Sequence, residues 1–156
     1  MPSRSSAVRM RLAAWLGAAL IVVAAALASA APVVAAMTDA QLVATRVAAM
    51  KQDGMLLRGA KSLTGQEAID AATIILKNFT NFPALFRKGS ITADSRALPV
   101  IWENWGDFTA RLAAEKANAQ AMLAAAKAGN KKAYLAAIED LKRPCSNCHL
   151  AYARVF

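Results

Sequence analysis

Residues 131–149 read KKAYLAAIEDLKRPCSNCH and join an amphipathic segment to a compact group of reactive side chains. Apolar residues recur in this stretch at the three- and four-residue spacing of a helix that buries one face. They are Tyr134, Leu135, Ile138 and Leu141. Pro144 lacks a backbone donor, so we expect the helix to bend or break there and to continue through Tyr152.

Three further amphipathic segments precede this one along the chain. Residues 38–41 (TDAQ) and 64–67 (TGQE) each fit the capping box that opens a helix, and Pro99 suits the first turn of another. Gly129 and Asn130 are suited to ending that third helix. The apolar positions at helical spacing are Val43, Val47, Met50 and Leu57, then Ile69, Ala72, Ile75, Leu76 and Phe79, then Ile101, Trp105, Phe108, Leu112, Met122 and Leu123.

The second helix is expected to close at residues 81–83 (NFP), because the residue before a proline avoids helical geometry. Residues 80–97 then read as a long loop, and loops of this length are often functional or lie over a site. No alternating strand pattern follows the first 36 residues. The sequence therefore predicts an all-α fold, an antiparallel four-helix bundle.

Residues 1–36 have the layout of a secretory signal peptide, with a basic start, an apolar stretch and then small residues. Three arginines are followed by no charged residue until Asp39. We expect cleavage after Ala30 or Ala36, which leaves residues 37–156 as one domain. An uncleaved membrane anchor is the alternative, since the uncharged run is long enough to cross a bilayer. Cleavage predicts export, to the periplasm in a Gram-negative cell.

Composition excludes several classes of protein. The chain has 156 residues, two cysteines, one histidine and a formal net charge of +9. Two cysteines are too few for a disulfide scaffold or an all-cysteine zinc site. The basic residues are scattered and the protein is expected to be exported, so we predict no nucleic-acid partner. The chain contains no glycine-rich phosphate loop.

One motif carries the chemistry. Cys145, Cys148 and His149 form C-x-x-C-H, the attachment pattern of c-type haem. Positions i, i+3 and i+4 lie on one helical face, so both thiols can form thioethers with the haem vinyl groups while the imidazole ligates the iron. One haem c with its iron is the predicted cofactor. This use of the single histidine leaves no nucleophile–base pair, and we predict that the protein is not an enzyme.

Three other kinds of site use closely spaced cysteines. A disulfide redox motif belongs with an α/β pattern that this chain lacks. A zinc site needs four ligands, whereas the chain offers two cysteines and one histidine. A structural disulfide across i, i+3 leaves the adjacent histidine unexplained.

The sixth position of the iron is open on sequence grounds. With no second histidine, it holds methionine, lysine, a small ligand, water or nothing. The methionines after the leader are Met37, Met50, Met55 and Met122. Each of them could equally be core filler, the usual role of methionine in a bundle.

The chain resembles class II c-type cytochromes, the cytochrome c′ family, from about Thr38 to Phe156. The resemblance rests on the C-terminal position of the haem motif with Tyr152 shortly after it and on an Arg-x-x-x-Met pair in the first helix. It rests also on the Phe-Pro at 82–83, the Gly-Ser at 89–90 and the Ile-Trp at 101–102.

The resemblance implies particular roles for site residues. Cys145 and Cys148 would hold the haem and His149 would be the proximal ligand. Arg46 would lie near a haem propionate, and Met50 would occupy the distal slot, either as sixth ligand or as a steric block. Spacing supports the last pair independently, since positions i and i+4 share a helical face.

Two functions are expected from this pattern. The first is one-electron transfer with a redox partner protein, for which the charge of the mature chain favours an acidic surface. Three of the 19 basic residues lie in the leader, which leaves 16 against ten acids and a net charge of +6. The alternative is a high-spin haem protein that binds nitric oxide or carbon monoxide at an open distal site. The family resemblance also suggests a homodimer.

Overall fold

The computed structural model describes residues 34–154, and these form a helical bundle. Residues 1–33 of the predicted leader, which include the first cleavage site after Ala30, lie outside the described residues. The helices are α1 (Asp39–Gly59), α2 (Gly65–Leu85), α3 (Val100–Glu103), α4 (Trp105–Lys127), α5 (Lys131–Lys142) and α6 (Cys145–Tyr152). A 3-10 turn at Ala60–Ser62 follows α1. None of these helices is long and apolar enough to cross a membrane.

The bundle forms because each long helix packs against the next long helix in the chain. α1 packs on α2, α2 on α4, and α4 on α5. Their inner faces form one core that contains the fully buried Ile75, Phe82, Met122 and Ile138. The prediction of an all-α four-helix bundle is confirmed, and the described residues form no β-strand, only an isolated bridge between Ala97 and Ala153.

The capping box predicted from the sequence is present at the start of α1 and absent at the start of α2. At α1 the capping box is present: Gln41 N donates to Thr38 Oγ1 at 3.2 Å, and Thr38 N donates to Gln41 Oε1 at 2.8 Å. α2 begins at the predicted place, but Thr64 makes no side-chain capping bond there. The reason is Gly65, whose φ of +50° takes the backbone out of the geometry that the box requires.

Helix ends and interruptions also differ from expectation. α2 does not close at residues 81–83 but continues to Leu85, because Pro83 removes a single hydrogen bond in the last turn while Phe82 and Leu85 are both buried. The connecting loop is therefore residues 86–99 rather than 80–97. The third predicted helix is divided at Asn104 (φ −112°, ψ 40°) into α3 and α4.

The two later breaks fall where the sequence predicts them. Gly129 has φ +63°, the left-handed conformation that glycine adopts without strain, and it follows the end of α4. The Asn130 side chain then caps α5 by accepting a hydrogen bond from Ala133 N at 3.0 Å. Pro144 separates α5 from α6, so the motif helix starts afresh directly after the proline.

Candidate functional site

The motif residues lie on the short helix α6. Cys145 and Cys148 are free thiols, each half-buried, and Cys145 Sγ donates to Leu141 O at 3.2 Å. A structural disulfide between them is therefore not present. Burial raises the pKa of both thiols. The two sulfurs are thus held as protonated, unoxidised thiols at the edge of the core, the form that adds to a vinyl group.

His149 follows on the same helix and is exposed at its surface. Its pKa is lowered, first by partial desolvation of the imidazole and then by the positive charge of Arg96. Arg96 donates through Nε and Nη2 to Arg154 O, at 3.0 and 2.7 Å. The imidazole is consequently neutral at physiological pH, which is the form that ligates a metal.

Two sets of contacts hold α6 in position. Tyr152 is buried, its hydroxyl donates to Asp107 Oδ2, and Arg111 Nε donates to the same oxygen at 2.7 Å. The 86–99 loop joins the end of the helix through Leu98 N, which donates to Tyr152 O at 3.0 Å. The loop and α4 therefore fix the direction in which the motif faces.

Arg46 is buried rather than solvated, with 3% of its surface exposed. Its Nη1 donates to Leu85 O at 3.1 Å and to Ser90 Oγ at 2.8 Å. Its Nη2 donates to Ser90 O at 2.6 Å and to Ser95 Oγ at 3.0 Å, and its guanidinium lies 4.5 Å from the centroid of the Phe86 ring. Arg46 thus fastens the 86–99 loop to α1.

The charge of Arg46 has no close counter-ion in the part of the chain that the structure describes: no carboxylate oxygen there lies within ion-pair distance of it. Burial lowers its pKa, and the charge of Asp39 partly offsets this. A haem propionate would provide the missing negative charge, since buried charges are normally paired.

Met50 lies one turn after Arg46 on α1 and is partly buried against the core. Asp53 follows three residues later and is 3% exposed, although no sequence motif marks it. Its pKa is raised to about 6, chiefly by burial. The negative charge of Asp53 contributes to the raised pKa of Cys145 on α6.

A second carboxyl group, Glu115 on α4, was also missed by sequence reasoning. Its charge contributes to the raised pKa of both Cys145 and Cys148, and burial raises its own pKa. Among the described residues, Asp53 Oδ2 and Glu115 Oε2 are buried oxygens with no hydrogen-bond partner. The sequence signal that could have identified Asp53 is an acidic residue on the buried face of an amphipathic helix. Free thiols, a neutral imidazole and unsatisfied polar groups around them fit a covalent haem.

Comparisons with known proteins identify the family. The family model described as cytochrome C′ matches residues 33–153. The chain is 36% identical over 95 residues to a cytochrome c-556 of Agrobacterium tumefaciens, which spans 61% of this chain and 76% of the relative.

Solved structures agree in fold. Cytochrome c′ from Thermochromatium tepidum superposes with a TM-score of 0.69 at 22% identity, over 75% of this chain and 98% of that one. A cytochrome c′ described as having ligand-controlled dimer dissociation gives 0.69 at 20% identity, over 76% and 98%. The chain therefore belongs to the cytochrome c′ family of haem proteins, whose cofactor is a covalently attached haem c with its iron.

Proposed function

We propose that this chain is exported to the periplasm and carries single electrons through a haem that Cys145 and Cys148 attach and His149 ligates. When bound, the haem iron supplies a one-electron Fe(III)/Fe(II) couple. The protein's part is to hold the imidazole neutral and oriented, to bury the cofactor and to control access to its distal side. Arg46 balances a propionate from inside the bundle.

The observation that carries the proposal is the motif helix α6, on which two half-buried, unbridged thiols and a histidine with a lowered pKa lie within five residues. Met50 shares a helical face with Arg46 at i and i+4 and packs against the core, which supports a distal position for its thioether. A methionine ligand opposite histidine gives a six-coordinate iron, which favours electron transfer over ligand binding. Met50 would then be the sixth ligand.

The second candidate is binding of nitric oxide or carbon monoxide, with Met50 packed over an open iron as a gate. It is favoured by the fold shared with cytochromes c′, one of which is described by its ligand-controlled dimer dissociation. By the same analogy we propose a homodimer for this chain.

The absorption spectrum of the purified ferric holoprotein separates the two candidates. A methionine-to-iron charge-transfer band with a low-spin spectrum, together with a reversible one-electron redox titration, is expected for the carrier. A high-spin ferric spectrum at neutral pH would reject ligation by Met50 and favour the gas binder.

Covalent attachment has its own test. Cys145→Ala combined with Cys148→Ala should release haem from the polypeptide in a denaturing gel and in acid acetone. Met50→Ala is the matched control, because it alters the pocket and leaves both thioethers in place. Haem that extracts freely from the wild type would refute the assignment of both cysteines.

A further inference from the structure

The carboxyl group of Asp53 is almost completely buried and only half satisfied. Its Oδ1 accepts a hydrogen bond from Asn78 Nδ2 on α2 at 2.7 Å. Its Oδ2 has no partner among the residues that the structure describes. Asn78 Nδ2 also donates to Gln52 Oε1 at 3.1 Å, and Gln52 is exposed. One layer of neutral amides therefore separates this carboxyl from solvent.

The position of Asp53 on α1 relates it to the distal position proposed for Met50. It lies three residues after Met50, and its negative charge is a minor cause of the raised pKa of the Cys145 thiol. A carboxylate here costs free energy as long as it stays charged and unpaired, because the low-dielectric interior solvates it poorly.

We propose that Asp53 is the proton acceptor coupled to reduction of the haem, so that one proton enters the protein with each electron. This inference rests on the proposed electron-carrier function. In balanced form, a reduced one-electron donor would supply one electron, which would convert the bound haem from its ferric to its ferrous state. Asp53 Oδ2 takes one proton from water, and a carboxylate becomes a carboxylic acid. No other bond forms or breaks.

The physical reason is the change of charge next to a buried carboxylate. The oxidised site carries one more positive charge and so stabilises the ionised form of Asp53. Reduction removes that charge, and the carboxylate then has no counter-ion and binds a proton. Burial has already brought its pKa to about 6, so that a change of nearby charge alters its protonation near neutral pH.

The other groups near Asp53 differ in their ability to accept a proton. Asn78, which α2 presents to Asp53, is neutral, and Cys145 on α6 does not titrate once it is a thioether. Glu115 on α4 acts on the same thiol as Asp53, and Lys142 on α5 opposes both. The experiment therefore has to distinguish proton uptake by Glu115 from proton uptake by Asp53.

The experiment is a redox titration of the holoprotein, followed optically, at pH values from 5 to 8. The wild-type reduction potential should fall as the pH rises above about 6, with a slope that approaches one proton per electron. Asp53→Asn should have a flat profile that meets the wild-type curve at low pH. Asp70→Asn, an exposed carboxylate on α2, is the matched control and should keep the wild-type slope.

Two further measurements test the assignment. Redox-difference infrared spectra should show the carbonyl band of a protonated carboxyl group on reduction, absent in Asp53→Asn and retained in Glu115→Gln. Asn78→Leu removes a hydrogen bond that stabilises the charged carboxylate, so the pH at which the slope begins should rise.

A pH-independent wild-type potential, a slope that persists in Asp53→Asn, or a slope lost only in Glu115→Gln would overturn the inference. Each of these results still requires a reversible one-electron couple. Failure of the electron-carrier proposal is different, since it would appear as the absence of that couple in every variant.

Discussion

At the scale of single residues, the buried charged side chains in the described part of the chain both lie on α1. Arg46 and Asp53 are a cation and an acid on the buried face of one helix, and each is held by neutral partners from another segment. Met50 lies between them. A buried charge is tolerated only where hydrogen bonds or an opposite charge offset its desolvation. The buried charged groups on this face therefore depend on hydrogen bonds with other segments of the fold.

Replacing the buried guanidinium should destabilise the fold strongly. Arg46→Met leaves two carbonyl and two hydroxyl oxygens without their donor, and we expect a loss of about 2–4 kcal/mol. Denaturant unfolding of the holoprotein measures it. Arg87→Met is the control, because its ion pair with Asp39 is exposed and should contribute less than about 1 kcal/mol. Equal losses in the two variants would contradict the role of Arg46.

Met50→Ala tests the distal ligand. If the thioether binds iron, the variant should become high-spin, lose the charge-transfer band and fall in reduction potential. If Met50 only gates, the wild type is already high-spin and the variant simply binds carbon monoxide faster. Met55→Ala is the control, since Met55 lies on the same helix but is 58% exposed, and its spectrum should match the wild type.

Asp53 should also make stability depend on pH. Its folded pKa of about 6 exceeds the ordinary value of 3.8, so the folded protein holds this proton more tightly than the unfolded chain does. The resulting stability is fully present below about pH 4 and is lost as the pH rises through 6. At pH 7.5, Asp53→Asn should be more stable than the wild type by about 1–3 kcal/mol, and the difference should vanish near pH 4. Thermal unfolding at both pH values checks this, and a constant difference would count against it.

At the scale of helices, breaks in the bundle follow from backbone chemistry. Gly129 turns the chain out of α4 with a positive φ, and Pro144 separates α5 from the motif helix. Pro83 interrupts hydrogen bonding in α2 without ending it, because packing of Phe82 holds the last turn.

Alanine substitutions at two glycines test how backbone conformation affects stability at positions where an added Cβ meets no steric contact. A Cβ at Gly129 meets no atom within 4 Å, so Gly129→Ala tests only the left-handed backbone and should cost about 1 kcal/mol. Gly106 is equally uncrowded but lies inside α4 with no positive φ, so Gly106→Ala should stabilise by up to about 1 kcal/mol. Denaturant midpoints of the two variants should shift in opposite directions, and shifts in the same direction would contradict this explanation.

At the scale of the whole molecule, the charge distribution bears on the choice of partner. The chain without its predicted leader carries +6, and Lys142 and Arg143 stand directly before the motif helix. Arg143 is paired with Asp140 in an exposed ion pair at 2.7 Å, whereas Lys142 also contributes positive potential at Cys145. Lys142 therefore places a positive charge beside the motif, whereas the charge of Arg143 is offset by Asp140.

Electron transfer to an acidic redox protein should slow as salt rises, because screening weakens long-range attraction. Lys142→Gln should lower the rate at low ionic strength and reduce its salt dependence. Stopped-flow mixing with an acidic one-electron protein measures this, and a neutral small-molecule reductant is the control whose rate should be unaffected by the variant. A rate of electron transfer between the two proteins that is independent of ionic strength would contradict electrostatic attraction to an acidic partner.

The sequence by itself determined the helical class, the capping box at Thr38, the breaks at Gly129 and Pro144, and the attachment motif. Each of these depends on residues within a few positions of one another, where backbone geometry and helical spacing act directly. The family followed from the same local elements and their order along the chain.

Only the tertiary structure decided how α1, the 86–99 loop and the motif helix meet. The contacts of Arg46 with Ser90 and Ser95 span more than forty residues, and the electrostatic effect of Asp53 on Cys145 joins two helices that are far apart in the sequence. Burial also overruled a local rule, when the packing of Phe82 carried α2 past the expected stop. The physical reason is that desolvation depends on which segments surround a group, and a single sequence records the group without its surroundings.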